Sequence, residues 1–218
     1  MQKLVMQKLV PTPVGDARVT TFAAERPRVL LALGHGAGGG VEARDLQALA
    51  AALPARGVSV ALVEQPWRVA GRKLGPAPKT LDEAWLPVAA GLAAEGPPLV
   101  VGGRSAGARV ACRTGLASGA AAVLALAFPL HPPGKPERSR AEELLNSGLP
   151  TLVVQGGADT FGTPEEFPVL PEGHRLVEVP YGNHGFVVPK RAPVGQEETL
   201  EALVAAVGDW LGSVPSIG

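Results

Sequence analysis

Six short apolar runs set the terms for this chain: Val29–Leu33, Val58–Val63, Leu99–Val101, Ala121–Phe128, Thr151–Gln155 and Leu176–Val179. They do not alternate apolar with polar residues, as a strand with one wet face does. A strand reads as a continuous apolar run when both faces are covered, the usual state in a parallel sheet. Parallel neighbours need crossovers, and helical patterns lie between the runs. Leu46, Leu49, Ala50 and Leu53 recur at helical spacing. Thr80 and Glu83 have capping-box spacing and predict a helix start, with Trp85, Val88, Ala89 and Leu92 on one face and a kink at Pro87. Residues 106–117 predict another helix. A last stripe, Leu200, Leu203, Val204, Val207, Trp210 and Leu211, stops at Gly212. Arg18–Phe22 predicts an antiparallel edge strand. The order predicts an α/β fold: one domain over residues 14–212, built on a doubly wound, mostly parallel sheet. Residues 1–13 and 213–218 are expected to be tails. Residues 1–5 and 6–10 both read MQKLV, and the duplication carries no fold expectation.

Composition removes several classes of function. The 218 residues balance 20 Lys+Arg against 20 Asp+Glu, which lacks the basic excess of a nucleic-acid binder. The single cysteine, Cys112, excludes an internal disulfide framework and a CxxC zinc module, and reads as a small core residue. No metal-ligand spacing is found. The longest apolar run, Ala120–Leu130, is 11 residues, where a membrane span needs about 20. Lys3 and Lys8 precede no apolar h-region, so no signal peptide is expected. The expectation is a soluble cytoplasmic protein, monomeric or a small homo-oligomer, acting on a small molecule.

In doubly wound sheets, chemistry sits beyond the carboxyl ends of the strands. Residues 103–107, Gly-Arg-Ser-Ala-Gly, follow the apolar run Leu99–Val101 and precede a small-residue helix. A strand-to-helix turn this sharp brings backbone segments together, so Gly103 and Gly107 leave room where side chains would clash. The turn lifts the Ser105 hydroxyl over the sheet edge. It also aims the Ala106 N–H at the place where an oxyanion would form. A serine nucleophile needs a base, and the base an orienting acid. His174 precedes its strand and falls at the wrong end, about 17 Å away for a typical strand. His131 and His184 both follow strands. His184, in the loop Tyr181-Gly182-Asn183-His184-Gly185, is the expected base, with His131 the alternative. Asp159 is the expected acid, ahead of Glu165 and Glu166, which lie further from the strand end. The order Ser105, Asp159, His184 is that of an α/β-hydrolase.

Residues 34–40 read Gly-His-Gly-Ala-Gly-Gly-Gly, and Gly34, Gly36 and Gly39 also fit a dinucleotide fingerprint, with Glu64 at the end of the next strand. The competing reading gives the Ala37 N–H to the oxyanion site beside Ala106, with His35 ordering the loop. The independent Ser/Asp/His order favours the second reading and predicts no cofactor.

These stretches together resemble the dienelactone-hydrolase-like branch of the α/β-hydrolases. More narrowly they resemble the family of the testis-expressed hydrolase-like proteins and the third subunit of the NSL histone-acetyltransferase complex. The resemblance rests on Gly34–Gly39, Gly102–Val110, Phe128–Glu137, Gln155–Glu166 and Tyr181–Phe186. It implies an α/β-hydrolase fold, with Ser105 as nucleophile, Asp159 as acid and His184 as base. Dienelactone hydrolases carry cysteine at the elbow, so the serine here does not imply that substrate class. The expected function is hydrolysis of a small ester or thioester; a non-catalytic interaction module on the same fold is the alternative. Arg68, Arg72, Arg104 and His131 are candidate substrate-binding residues. For Arg68, Arg72 and Lys73 the plainer reading is a solvated loop. Arg104 either points into the pocket or pairs structurally. Pro129–Pro150 leaves room for one short helix, about 137–146, so no cap domain and an open site are expected.

Overall fold

The computed structural model describes residues 5–94 and 96–214. Its centre is an eight-stranded sheet: β1 (Val5–Thr12), β2 (Gly15–Phe22), β3 (Val29–Gly34), β4 (Val58–Glu64), β5 (Leu99–Arg104), β6 (Ala122–Leu126), β7 (Thr151–Gly156) and β8 (His174–Val179). The strand order is β1-β2-β4-β3-β5-β6-β7-β8. From β4 to β8 every pairing is parallel, while β1 and β2 join antiparallel.

Alternating side chains explain the apolar runs. In β3, Leu30 and Ala32 enter one core; Val29, Leu31 and Leu33 enter the other. The first core is closed by the single turn α2 (Pro66–Val69), α3 (Pro78–Ala94) and α4 (Ala106–Thr114), through Trp67, Trp85, Val88, Leu92 and Val110. The second is closed by α1 (Arg44–Ala52) and α6 (Gln196–Ser213), through Leu46, Leu49, Leu203 and Trp210. Leu31 and Leu33 are fully buried, each worth about 1.5–3 kcal/mol relative to exposure. The single-domain α/β architecture on a doubly wound, mostly parallel sheet is as expected. Cys112 is buried in the first core, and burial pushes its thiol pKa up to about 12.

Four expectations are corrected. Residues 5–12 are not tail but β1, hydrogen-bonded along β2, which is therefore internal rather than the edge. β1 holds by its ladder more than by burial: Val5, Met6 and Leu9 are exposed, and Val10 packs on the core. Pro11 is tolerated because no strand among the described residues pairs with the outer side of β1. The first four residues of the duplication, and residues 215–218 of the expected C-terminal tail, lie outside the described residues. Helix α3 opens at Pro78, whose fixed φ suits a first turn, so Thr80 lies inside it; a capping box occurs instead at Thr163 and Glu166. The helix expected over 106–117 ends at Thr114. Between β6 and β7 only a 3₁₀ turn (Pro136–Arg138) and α5 (Ala141–Leu145) form, too little for a cap. Among the described residues no helix is long and apolar enough to cross a membrane.

Candidate active site

Ser105 sits between β5 and α4 with φ 55° and ψ −112°, a conformation L-residues avoid. Its N–H still donates to Leu126 O at 2.9 Å, so the strand ladder runs up to the turn. The flanking glycines are sterically required. A Cβ on Gly103 or on Gly107 would lie 2.6 Å from the carbonyl oxygen of Gly34. The elbow is thus wedged against β3 and the glycine loop.

Asp159 follows β7 and is 1% exposed. Its Oδ2 accepts from Gln155 Nε2 at 2.9 Å, and its Oδ1 accepts from the Phe161 N–H at 2.8 Å. His184 lies after β8. Its Nδ1 is 2.8 Å from Asp159 Oδ2 and its Nε2 is 2.9 Å from Ser105 Oγ. A carboxylate only accepts, so Nδ1 donates, and Nε2 is left to accept from the serine hydroxyl. The Phe161 ring stacks on the imidazole at 4.2 Å. The loop is fixed from within: Asn183 Oδ1 accepts from the Gly185 and Val187 N–H groups, and Phe186 is fully buried.

The glycine loop packs on the elbow. A Cβ on Gly36 would lie 3.4 Å from the Ser105 Cβ, whereas one on Gly38 or Gly39 would meet nothing within 4 Å. Helix α1 begins only at Arg44, and Glu64 pairs with Arg18, so neither the helix start nor the acid of a dinucleotide site is in place. The Ala37 N–H donates to no group among the described residues, and Ala106 opens α4, where a helix leaves its N–H without an internal acceptor. Ala37 and Ala106 line one small cleft with Gly36, Gly107 and Trp67. His35 orders this loop: Nδ1–H donates to Gly36 O at 2.9 Å, and Nε2 accepts from the Gln65 N–H at 3.1 Å. Burial lowers its pKa.

The other candidates are placed elsewhere. His131 joins the rival acid Glu166, with Nε2 3.0 Å from Oε1, and donates from Nδ1 to Pro132 O at 2.9 Å. Both ring nitrogens are occupied, which corrects its reading as a substrate ligand. The Pro132 carbonyl first, then Glu166, raise its pKa against partial desolvation. Arg68 pairs with Glu42 at 3.3 Å. Arg72 is exposed beside a cleft of about 320 Å³ lined by Gln65, Trp67 and Thr80. Arg104 pairs structurally: Nη2–H donates to His184 O at 2.7 Å, and Nε lies 3.5 Å from the buried carboxylate of Asp45. Gln155, Phe161 and Asp45 were not signalled as site residues; only Gln155, a polar residue closing an apolar strand, carried a visible hint. Among the described residues no group of three or more His, Cys, Asp or Glu side chains could hold a metal ion.

No curated protein sequence matches the chain. Solved structures match over nearly its whole length. An α/β serine hydrolase without lid from Xanthomonas campestris superposes with a TM-score of 0.72 at 22% identity, covering 99% of each chain. A dienelactone hydrolase from Anabaena variabilis gives 0.73 at 16% identity, over 98% of this chain and 99% of that one. Est1E from Butyrivibrio proteoclasticus, with ferulic acid bound, gives 0.71 at 14% identity, over 95% and 98%. At these identities the likeness is one of fold. Residues 26–212 match the family model for the alpha/beta hydrolase domain, and the chain belongs to that family.

Proposed function

We propose that the protein is a serine hydrolase that cleaves a small ester or thioester through an acyl-enzyme. The observation that carries this is the unbroken chain of contacts from Ser105 Oγ through His184 to Asp159, on a strained elbow. His184 Nε2 takes the Ser105 proton as Oγ attacks the substrate carbonyl. The oxyanion faces the Ala106 and Ala37 N–H groups. The imidazolium then gives its proton to the departing alkoxide or thiolate, leaving Ser105 acylated. Water, deprotonated by His184, attacks the acyl carbonyl and frees the acid and the serine. Asp159 keeps the ring in the productive tautomer throughout.

The short β6–β7 connection, which holds only a 3₁₀ turn and α5, supports small, water-soluble substrates. The narrower resemblance to the testis-expressed and NSL-complex proteins belongs to this proposal too. The test is fluorophosphonate labelling with peptide mapping. Label on Ser105 is expected. An accessible but inert Ser105 would turn the reading towards an interaction module. Ser105→Ala and His184→Ala are expected to lower hydrolysis of an activated ester by on the order of 10⁴–10⁶-fold. Asp159→Asn is expected to cost about 10⁴-fold or less, through the wrong tautomer. His131→Ala should leave hydrolysis within a few-fold; the opposite ranking of the two histidines would refute the assignment.

A further inference from the structure

Arg104 stands beside the nucleophile, yet its side chain is engaged by the protein itself. Its guanidinium is packed among three segments. Nη2–H donates to the backbone carbonyl of His184 at 2.7 Å. A Cβ on Gly185 would come within 3.4 Å of Nη2, and one on Gly36 within 3.8 Å of Nη1. Nε, which is buried, faces Asp45 Oδ2 at 3.5 Å. The two loops that flank Ser105, one bearing the base and one bearing Ala37, therefore share this guanidinium as a neighbour.

Asp45 is the unexpected partner. It lies in the first turn of α1 and is fully buried. No hydrogen bond of full geometry reaches either carboxylate oxygen among the described residues; the backbone N–H groups of Asp45 and Leu46 at the start of the helix lean towards it and favour its charge. Burial pushes its pKa up, and the Arg104 charge opposes that shift. A buried carboxylate with so few partners is costly unless a cation compensates it. Arg104 in turn gains a counter-charge at the buried end of its fork, an ion-pair contact at 3.5 Å without a hydrogen bond from Nε. A planar fork anchored at one nitrogen presents its other N–H groups in fixed directions. One of them holds His184. We propose that Arg104, backed by Asp45, is a positioning residue that sets the His184 loop, and with it the imidazole, over Ser105. This rests on the serine-hydrolase reading above. It also explains an arginine at the variable position of the elbow, where a side chain pointing to solvent would suffice for the turn itself.

The test compares Arg104→Met with the unaltered chain on a soluble activated ester. A base displaced by about 1 Å costs on the order of 100-fold. The expected result is kcat lowered about 100-fold, KM unchanged within about twofold, and an equal fall in the rate of fluorophosphonate labelling at Ser105. The proton NMR resonance of the His184 Nδ1–H, shifted downfield by Asp159, should move or broaden. A raised KM with unchanged kcat would overturn the proposal in favour of substrate binding by Arg104. A lowered Tm with unchanged kcat and an unmoved resonance would reduce the pair to a structural one. If Arg104→Met does not fold, Asp45→Asn decides, since it removes only the compensating charge: kcat lowered about tenfold at constant KM supports positioning, and unchanged kcat overturns it. If the unaltered chain neither labels nor hydrolyses, the hydrolase reading fails, and the resonance alone decides whether Arg104 sets the imidazole.

Discussion

The backbone strain at Ser105 has a measurable sign. At φ 55° and ψ −112° the residue lies where a side chain costs about 1–3 kcal/mol. Glycine adopts such angles freely, but it adds about 0.4–1 kcal/mol of chain entropy to the unfolded state. Ser105→Gly and Ser105→Ala both lose the hydroxyl and its bond to His184, so their difference isolates the backbone. The glycine variant is expected to be more stable than the alanine variant by about 0.5–2 kcal/mol. For a domain of this size each kcal/mol shifts Tm by about 2–4 °C, so the two should differ by about 1–8 °C. Ser139 is the control: it is exposed at φ −59°, and there glycine should melt below alanine. Thermal unfolding followed by circular dichroism, at one scan rate and with reversibility checked, reads both pairs. Both Ser105 variants should be inactive. If Ser105→Gly melts at or below Ser105→Ala while the Ser139 pair behaves as stated, the elbow is not strained and the reasoning is wrong.

Three further outcomes follow from the site. Gly107→Ala puts a methyl 2.6 Å from the Gly34 carbonyl and should cost about 1–3 kcal/mol in urea unfolding and abolish Ser105 labelling, while Gly39→Ala should change neither. Gln155→Leu removes the donor to Asp159 Oδ2 and to Gly162 O, and should cost about 1–3 kcal/mol of stability and at least about tenfold in kcat at constant KM. His131 has a raised pKa and Glu166, held mainly by the Thr163 N–H, a lowered one. The His131 contribution is complete below its unfolded value of 6.5 and is lost as pH rises through its folded value; that of Glu166 is present above its unfolded value of 4.5 and is lost as pH falls through its folded value. The Tm deficit of His131→Gln should therefore be largest between about pH 4.5 and 6.5 and shrink by pH 8, and a deficit flat across that range would refute the pairing.

The elbow was legible because its glycines answer to backbone contacts, and backbone contacts follow from the turn. Asp159 was legible because parallel strands end on one edge, so a residue just past β7 must face one just past β5. The partner of Arg104 was not legible. Asp45 lies in the first turn of α1 between Arg44 and Leu46, where an acid at a helix start reads as an ordinary surface residue, and nothing local marks it as buried opposite a guanidinium from another strand. Strand β1 was hidden for a different reason. Its residues show no alternation, because an edge strand held by one ladder needs little burial, and Pro11 argues against a strand wherever both edges are paired.

The choice among four histidines shows what the fold adds. Sequence position removed His174 and left His131 and His184 at one edge. Hydrogen-bond accounting separates them. His35 spends one nitrogen on Gly36 O and the other on the Gln65 N–H. His131 spends its two on Pro132 O and Glu166. His174 Nε2 lies against Ser147 and Leu144 O, at the opposite end of the sheet from the elbow. Only His184 sets a carboxylate on one nitrogen and a hydroxyl, rather than a structural group, on the other. A base must hold a free lone pair towards the proton that it takes, and the other three rings have committed theirs or lie at the wrong end. Glu166 completes the selection. On the proposed reading, by occupying His131 it leaves the alternative base without a vacancy, and its own oxygens are taken by His131 and Thr163.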